Sequence, residues 1–444
     1  MDDDVMARRA ARAALVGTAL EWYDFILYGT ASALVFNRLF FAAGDPRIAT
    51  LGAFATFAVG FLSRPLGGIV FGHFGDRLGR KNVLVINLLI MGLTSTAIGL
   101  LPTYQTAGVL APVLLVGLRL VQGFGAGAEY AGAGTLAVEF ADRKRRGLFG
   151  SVPATGGAIG SLMSSVTFVI ITAIMSPSAF LAWGWRVPFL LSIVLVIVAI
   201  YMRYRLTESP AFARLTAAEK PHGMPLLNLV KKSPRSLMLG YLSSIGPNIG
   251  VYVPTVFGIS YATQHAGISQ AAAVSALVVA YTVGIVVSRI AGIMTDRFGP
   301  TRIFLAGTLF SALMAFPFFL LVNTGAPVLA GIGFVLSVSI GFYTMIGAQG
   351  ALLASLFPTS ARYTGIAVSR EFAAATTGGP APLVAAGLLI AGGNSPWLVA
   401  SAAVLFFLIA AAATLGIPRE AAKYSTGAAA DEEIDESWRA RFRR

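Results

Sequence analysis

The sequence predicts an all-α membrane protein: twelve transmembrane helices in two pseudo-symmetric six-helix bundles, with both termini in the cytoplasm. Three observations carry this. The 444 residues are 56% hydrophobic and only 12% charged, about half the roughly 25% charge of a soluble domain, and the mean hydropathy is +0.76. Twelve apolar runs can be marked out, each near the length of about 20 residues that crosses a bilayer. A short motif recurs at matching places in the two halves.

The runs fall at roughly 14–39, 49–72, 82–101, 109–139, 147–175, 187–205, 236–261, 271–294, 302–322, 327–356, 365–390 and 397–417. They divide the chain into an N-terminal bundle (1–205), a cytoplasmic linker (206–235), a C-terminal bundle (236–417) and a cytoplasmic tail (418–444). No cleavable leader is expected, because the first run is long and holds Glu21 and Asp24. Orientation follows from the cations. Of the 33 Lys and Arg, 26 fall on the side of the termini. Three (Arg38, Arg47, Arg186) fall on the other, and four (Arg64, Arg119, Arg289, Arg370) lie within spans. The basic excess therefore reads as positive-inside topology and not as a nucleic-acid surface.

Several chemistries are excluded. There is no cysteine, hence no disulfide, iron–sulfur cluster or thiol catalysis. His73, His222 and His265 are scattered through polar segments, so no histidine metal site is expected. No nucleophile–base set or nucleotide loop appears, so neither an enzyme nor ATP drive is expected. The glycines of Gly123–Gly134 lie inside an apolar run with no preceding strand, and read as helix-packing positions and not as a dinucleotide loop.

Between spans 2 and 3 the chain reads Gly72-His73-Phe74-Gly75-Asp76-Arg77-Leu78-Gly79-Arg80-Lys81. Between spans 8 and 9 it reads Gly292-Ile293-Met294-Thr295-Asp296-Arg297-Phe298-Gly299. Both fit G-x-x-x-D-R-x-G, with Gly72 and Gly292 offset by 220 positions. Arg146-Gly147 before span 5 and Thr364-Gly365 before span 11 repeat at nearly the same offset. The two halves are therefore read as parallel copies, an arrangement that places a binding site near the midplane between them. Glycines permit tight turns, and the aspartate can cap a helix start or pair with arginines. The expected cytoplasmic gate comprises Gly72, Asp76, Arg77, Gly79, Arg80, Glu139, Asp296 and Arg297; the alternative is ordinary interfacial loops.

These paired motifs resemble the major facilitator superfamily. Glu21-Trp22-Tyr23-Asp24-Phe25, Arg64-Pro65-Leu66-Gly67-Gly68, Arg119–Glu139, Trp183–Phe189, Glu208-Ser209-Pro210 and Pro358–Pro382 are similar to its metabolite:proton symporter group, which includes shikimate, α-ketoglutarate, citrate and proline/betaine carriers. The likeness spans essentially the whole chain and leans towards the shikimate carriers. It implies a secondary transporter of a bacterial inner membrane, taking up a small organic acid such as shikimate or a dicarboxylate with protons, by alternating access. The expected partners are that acid, protons and the lipid bilayer, with no cofactor and no nucleic acid; each chain should work as a monomer.

An ionisable group at bilayer depth costs several kcal/mol, so each is a functional candidate. Asp24 lies ten residues into span 1, about 15 Å deep. Glu21 and Tyr28 sit at i−3 and i+4 from it, on one expected face. Close carboxylates suit a proton carrier, so Asp24, Glu21 and Glu129 are the proton-coupling candidates, with an arginine partnership as the alternative. Arg119 and Gln122 share a face of span 4 and can hold a carboxylate in the guanidinium fork. The superfamily's R-x-x-Q-G pattern, associated with proton coupling, matches Arg119–Gly123. Tyr28, Tyr130, Arg370, Glu371, Asn248 and Tyr343 complete the candidate substrate set; adjacent Arg370 and Glu371 point about 100° apart and cannot pair simply. Arg64 and Arg289 are expected to snorkel to the cytoplasmic interface as structural or gating groups. Two other readings stand: an antiporter, because Pro153-Ala154-Thr155-Gly156-Gly157 echoes a drug-efflux motif, and a proline/betaine-type zwitterion carrier. The tail lacks the apolar heptads of some such carriers.

Overall fold

The computed structural model describes residues 2–41, 45–78, 80–127, 145–204, 229, 231, 233–358 and 362–441, with side chains outside 2–13, 72–84, 195, 198–204 and 423–441. Every regular element among them is a helix. Span 1 runs Asp2–Ala31, Ser32–Phe36 and Asn37–Leu39. Span 2 is Pro46–Leu62 with Arg64–Leu78, span 3 Arg80–Gly99, span 4 Leu110–Ala126, span 5 Arg146–Gly150 with Val152–Ile174, and span 6 Val187–Tyr204. Span 7 is Pro234–Tyr252, Val253–Phe257 and Gly258–Gln264; span 8 is Gln270–Phe298 and span 9 Pro300–Asn323. Span 10 is Pro327–Phe334, Val335–Phe342 and Tyr343–Ser355; span 11 is Arg362–Ala373, Ala374–Gly378 and Ala381–Ala391; span 12 is Trp397–Arg441. Seven of these helices are long and apolar enough to cross a membrane by themselves, and Val85–Gly99, Leu110–Ala126 and Gly184–Val194 are shorter apolar helices.

Side-chain polarity is inverted relative to a soluble protein. Leu62, Leu100, Ile174, Leu313, Val328 and Leu415 are exposed, whereas Glu21, Asp24, Arg64, Arg119, Gln122 and Glu371 are buried. With lipid outside, apolar groups gain nothing by hiding and ionic groups gain by turning inward. Helix starts are set by local caps. Asp45 accepts from the Arg47 backbone amide at 2.8 Å ahead of Pro46, whose missing N–H costs nothing in a first turn. Ser269 does the same for span 8.

Spans 1, 7, 10 and 11 each contain a π-helical segment. Those of spans 1 and 7 begin at Ser32 and Val253, an offset of 221 that follows the sequence repeat. In span 7, Pro254 cannot donate to the preceding turn; the wider turn accommodates that lost bond.

The halves meet along spans 1, 2 and 5 on one side and 7, 8, 10 and 11 on the other. Trp22 packs on Phe342 with ring centroids 5.6 Å apart, and the hydroxyls of Thr155 and Ser288 lie 3.1 Å apart. Within the N-terminal half, a Cβ on Gly160 would collide with the Ala19 carbonyl, so span 5 lies directly on the backbone of span 1. The segment that echoed an antiporter motif sits in this contact: Gly156 faces Leu15 and Gly157 faces the Trp22 ring. Close packing accounts for these glycines.

One expectation is corrected. The G-x-x-x-D-R-x-G segments are not loops: residues 72–78 and 292–298 are the last turns of helices, and the second ends at Gly299 with φ +89°. The polar run makes no difference to helix formation there because a helix supplies its own backbone bonds in water as in lipid. The tail also continues span 12, through Pro418 to Arg441; Glu420, at that end, accepts from Ser236 at 3.4 Å and lies 3.6 Å from Arg235, tying span 12 to the start of span 7.

Gly160→Leu should therefore prevent recovery of monodisperse protein in detergent chromatography, because a side chain would drive spans 1 and 5 apart. Gly387→Leu, where nothing lies within 4 Å of an added Cβ, should purify normally.

Candidate functional site

Two arginines organise the interior. Arg64 of span 2 is fully enclosed and holds carboxylates from both halves: its NH2 lies 2.6 Å from Glu21 Oε1, and its Nε lies 2.6 Å from Glu371 Oε2. NH2 also donates to Glu371 Oε1 at 3.3 Å. The expected snorkelling of Arg64 is thus overturned: two buried carboxylates outbid the interface for the guanidinium. Glu371 lies nine residues from the start of span 11, about 14 Å from its cytoplasmic end. The fork geometry suits this double engagement. Phe25 and Phe61 cover the cation at 4.7 and 5.6 Å. With both carboxylates ionised, the trio carries one uncompensated negative charge, and Glu21 Oε2 is buried with no hydrogen-bond partner among the described residues.

Arg119 of span 4 is the second centre. It is wholly buried. NH1 donates to Gln122 Oε1 at 2.6 Å, NH2 donates to the Phe57 carbonyl at 3.2 Å, and the guanidinium lies 3.8 Å from the centre of the Tyr28 ring. Its Nε has no hydrogen-bond partner among the described residues. Tyr28 is in turn fixed by its hydroxyl, which donates to Thr56 at 2.7 Å. Span 4 can bring Arg119 this close to span 2 because Gly123, one turn on, has its Cα against the Gly60 carbonyl, which any larger residue would strike.

Asp24 is part of this second centre. Ser192 of span 6 donates to its Oδ1 at 2.9 Å, Ser95 of span 3 accepts from Gln122 Nε2 at 2.6 Å, and Arg119 acts on the carboxyl through its charge. A small cavity lined by Leu20, Tyr23, Met91 and Val196 borders the carboxyl. Glu21 and Asp24 therefore do not share one site. They are about 60° apart around the helix (three residues at about 100° each), and that angle sends Glu21 to the interface between halves and Asp24 into the N-terminal bundle.

The remaining candidates are dispersed. Asn248 donates to Thr377 at 3.3 Å and Tyr343 packs edge-on to Tyr281, both within the C-terminal half. Arg370 is half-buried beside Glu371 on span 11. Asp296 does bridge the halves at the cytoplasmic side: its carboxylate accepts from the backbone amides of Gly147 and Leu148 at 2.6 and 2.9 Å, capping the short helix that leads span 5. Arg297 is exposed beside Phe298. Glu129, Tyr130, Glu139 and Gly79 lie outside the described residues, as do the side chains of Gly72, Asp76, Arg77 and Arg80.

Sequence reasoning missed Ser95 and Ser192. The serines carried no signal beyond lying in apolar runs. Tyr252 closes the space between the two arginine centres, 5.4 Å from Phe57 and 5.3 Å from Phe61, across the boundary between halves. At the outer mouth a polar cavity of about 230 Å³ is lined by Asn37, Arg38, Thr263, Gln264, Ser269 and Gln270. His265 stacks on Tyr261 beside it, and burial, with the nearby Arg47, holds its imidazole below the usual histidine range.

The Major Facilitator Superfamily profile matches residues 15–382. The inner membrane metabolite transport protein YhjE of Escherichia coli is 41% identical over 379 residues, covering 84% of this chain and 86% of that protein. The E. coli shikimate transporter is 37% identical over 390 residues (86% and 87%), and the E. coli proline/betaine transporter 34% identical over 378 residues (83% and 75%). Among solved structures, the partially occluded inward-open E. coli xylose transporter XylE superposes with a TM-score of 0.71 at 19% identity, covering 90% of this chain and 96% of that one.

Removing Arg64 leaves two facing carboxylates in a dry interior. Arg64→Met should lower stability by about 3–5 kcal/mol, read as a fall in Tm in detergent. Adding Glu21→Gln and Glu371→Gln to it should recover most of that loss.

Proposed function

Because the chain belongs to the major facilitator superfamily, and is a multi-pass inner-membrane transporter and not an enzyme, we propose that it is a proton-coupled symporter that takes up a small organic acid by alternating access. The observation that carries this reading is the unfilled Nε of Arg119, a fully buried guanidinium whose other two nitrogens are occupied. A buried donor without a partner costs about 1–3 kcal/mol or more when charged; a substrate carboxylate would satisfy it with a charge-assisted bond. Shikimate, proline and betaine, the substrates named for two relatives, each carry one carboxylate. Asp24, which accepts from Ser192 at 2.9 Å and lies near enough to feel the charge on Arg119, is the carboxyl to which this reading assigns the coupling proton.

Glu21 and Glu371 have a different part in this scheme. Bound to Arg64, they latch the cytoplasmic side of the two halves together, as Asp296 does nearer the surface. Opening inward requires these contacts to part while the outer contacts of spans 1, 2 and 7 close. Proton and substrate together reorganise the centre between the two sets. A zwitterionic substrate is the second reading. It is favoured by the rings of Phe57, Phe61 and Tyr252 between the arginines, since aromatic faces hold quaternary ammonium groups.

Proteoliposomes with an acidic exterior should accumulate radiolabelled shikimate or proline, and an imposed inward proton gradient should not drive export. Export under that gradient would overturn symport in favour of exchange. Arg119→Ala should reduce uptake at least 30-fold, the lower end of what truncating a buried charge partner costs. Asp24→Asn should retain exchange across equal pH yet lose gradient-driven accumulation; full accumulation by this variant would remove Asp24 from the coupling.

A further inference from the structure

The polar cavity of about 230 Å³ at the outer mouth lies across the seam between the halves. Span 1 contributes Asn37 and Arg38; the join of spans 7 and 8 contributes Thr263, Gln264, Ser269 and Gln270. It is smaller than the ~300 Å³ at which pockets for drug-sized ligands begin, a size that suits a small metabolite.

Its lining offers donors for an anion and acceptors for hydroxyls. Arg38 has no ion pair or hydrogen bond among the described residues, so its guanidinium donors are available. Ser269 Oγ accepts from the Ala272 amide at 3.2 Å and keeps its own hydrogen to donate. Asn37 Oδ1 is shielded from solvent with no partner among the described residues. Gln264 donates through Nε2 to Ser260 Oγ at 2.9 Å, which leaves Oε1 as an open acceptor.

The charge around this mouth points the same way. The topology places few cations outside, so each one there runs against the positive-inside bias. Of the three, Arg186 is engaged elsewhere: it donates to the Leu101 carbonyl at 3.0 Å and covers the Trp185 ring at 4.3 Å. Arg38 lines the cavity, and Arg47 acts by its charge on His265, which stacks on Tyr261 beside it. The outer loops hold a single acid, Asp45, and its carboxylate accepts from the Arg47 amide at 2.8 Å. A cleft lined by one sign of charge concentrates ions of the other.

We propose that this cavity is a second, outer site, which takes the carboxylate of a small hydroxylated acid from the external medium before it reaches Arg119. This rests on the reading of the chain as a carrier whose cargo meets Arg119. Arg38 lies ten residues beyond Tyr28, about 15 Å further out along span 1. Between the two sites the seam is closed by Gly29 against Val256 and by Phe57 against Tyr252. The lining comes from both halves, so the site is complete only while the outer ends of spans 1 and 7 are together. Parting those ends opens the way to Arg119 and takes the outer site apart in the same movement, which frees the acid to pass inward.

The chain has no cysteine, so Thr263→Cys places a single thiol in the cavity wall. In purified full-length protein, an anionic methanethiosulfonate should label that thiol about 10-fold faster than a cationic one, the low end of electrostatic focusing in a charged cleft. Arg38→Gln in the same background should remove most of this preference; Arg38→Lys should keep it, and Arg186→Gln should leave it unchanged. Shikimate, used as the carboxylate probe, should slow the labelling and should still slow it when Arg119→Ala is added. Gln264→Cys is the second reporter where Thr263→Cys does not fold. Equal labelling by the two reagents, a preference untouched by Arg38→Gln, or no protection by shikimate would overturn the outer site and leave the transport reading to the uptake measurements. Protection that disappears with Arg119→Ala would put the acid at the central arginine alone, which overturns the outer site and supports the transport reading.

Discussion

Arg64 holds one carboxylate from each half of the molecule at 2.6 Å, in an interior where neither water nor lipid can replace either partner. Ionic contacts of this kind contribute little on a wet surface and much where the alternative is an isolated buried charge. The rest of the structure is arranged around that constraint. Span 1 must place Glu21 towards the boundary, which turns Asp24 into the N-terminal bundle. Span 2 must carry Arg64 at the boundary, which leaves Phe57 and Phe61 above it to meet Tyr252. An ion trio is also a two-state element: it is made or it is parted, and a transporter needs contacts that do not stretch by degrees.

Arg119 follows the opposite logic. Arg64 is saturated by charge, whereas Arg119 is held by neutral partners: an amide, a carbonyl and an aromatic face. Neutral partners keep a guanidinium positioned without neutralising it, which preserves its attraction for an anion. The two arginines thus divide the work, one closing the protein and the other meeting its cargo. Gly125 against Ile90 and Gly92 against Val196 bring spans 4, 3 and 6 near enough for short side chains such as Ser95 and Ser192 to reach the centre.

The fold was legible because membrane physics writes it in composition: long apolar runs mark spans, and 26 cations on one side against three on the other mark orientation. The repeat around Gly72 and Gly292 was legible because both copies kept the same residues, and Asp296 does cap a helix start as its chemistry suggested. The site was legible as a set of residue types and not as an assembly. Arg64 and Glu371 are 307 positions apart, and no local pattern joins them. Three-residue spacing showed that Glu21 and Asp24 are neighbours on a helix, but the direction in which that helix faces is set by its packing partners. A serine in an apolar run gives no sign of what it bonds, so Ser95 was invisible until the helices were in place.

The π-helical segments of spans 1 and 7 bear on how such a chain tolerates changes in length. Each accommodates one residue more than a regular helix would. A single deletion inside Ser32–Phe36 can be absorbed by reversion to an ordinary helix, so that the outer end with Arg38 and the inner face with Asp24 and Tyr28 both keep their bearing. The same deletion two turns earlier would swing the whole outer half of the span, Tyr28 included, away from Arg119. These wide turns mark the places where the span can be re-cut and still present its inner face.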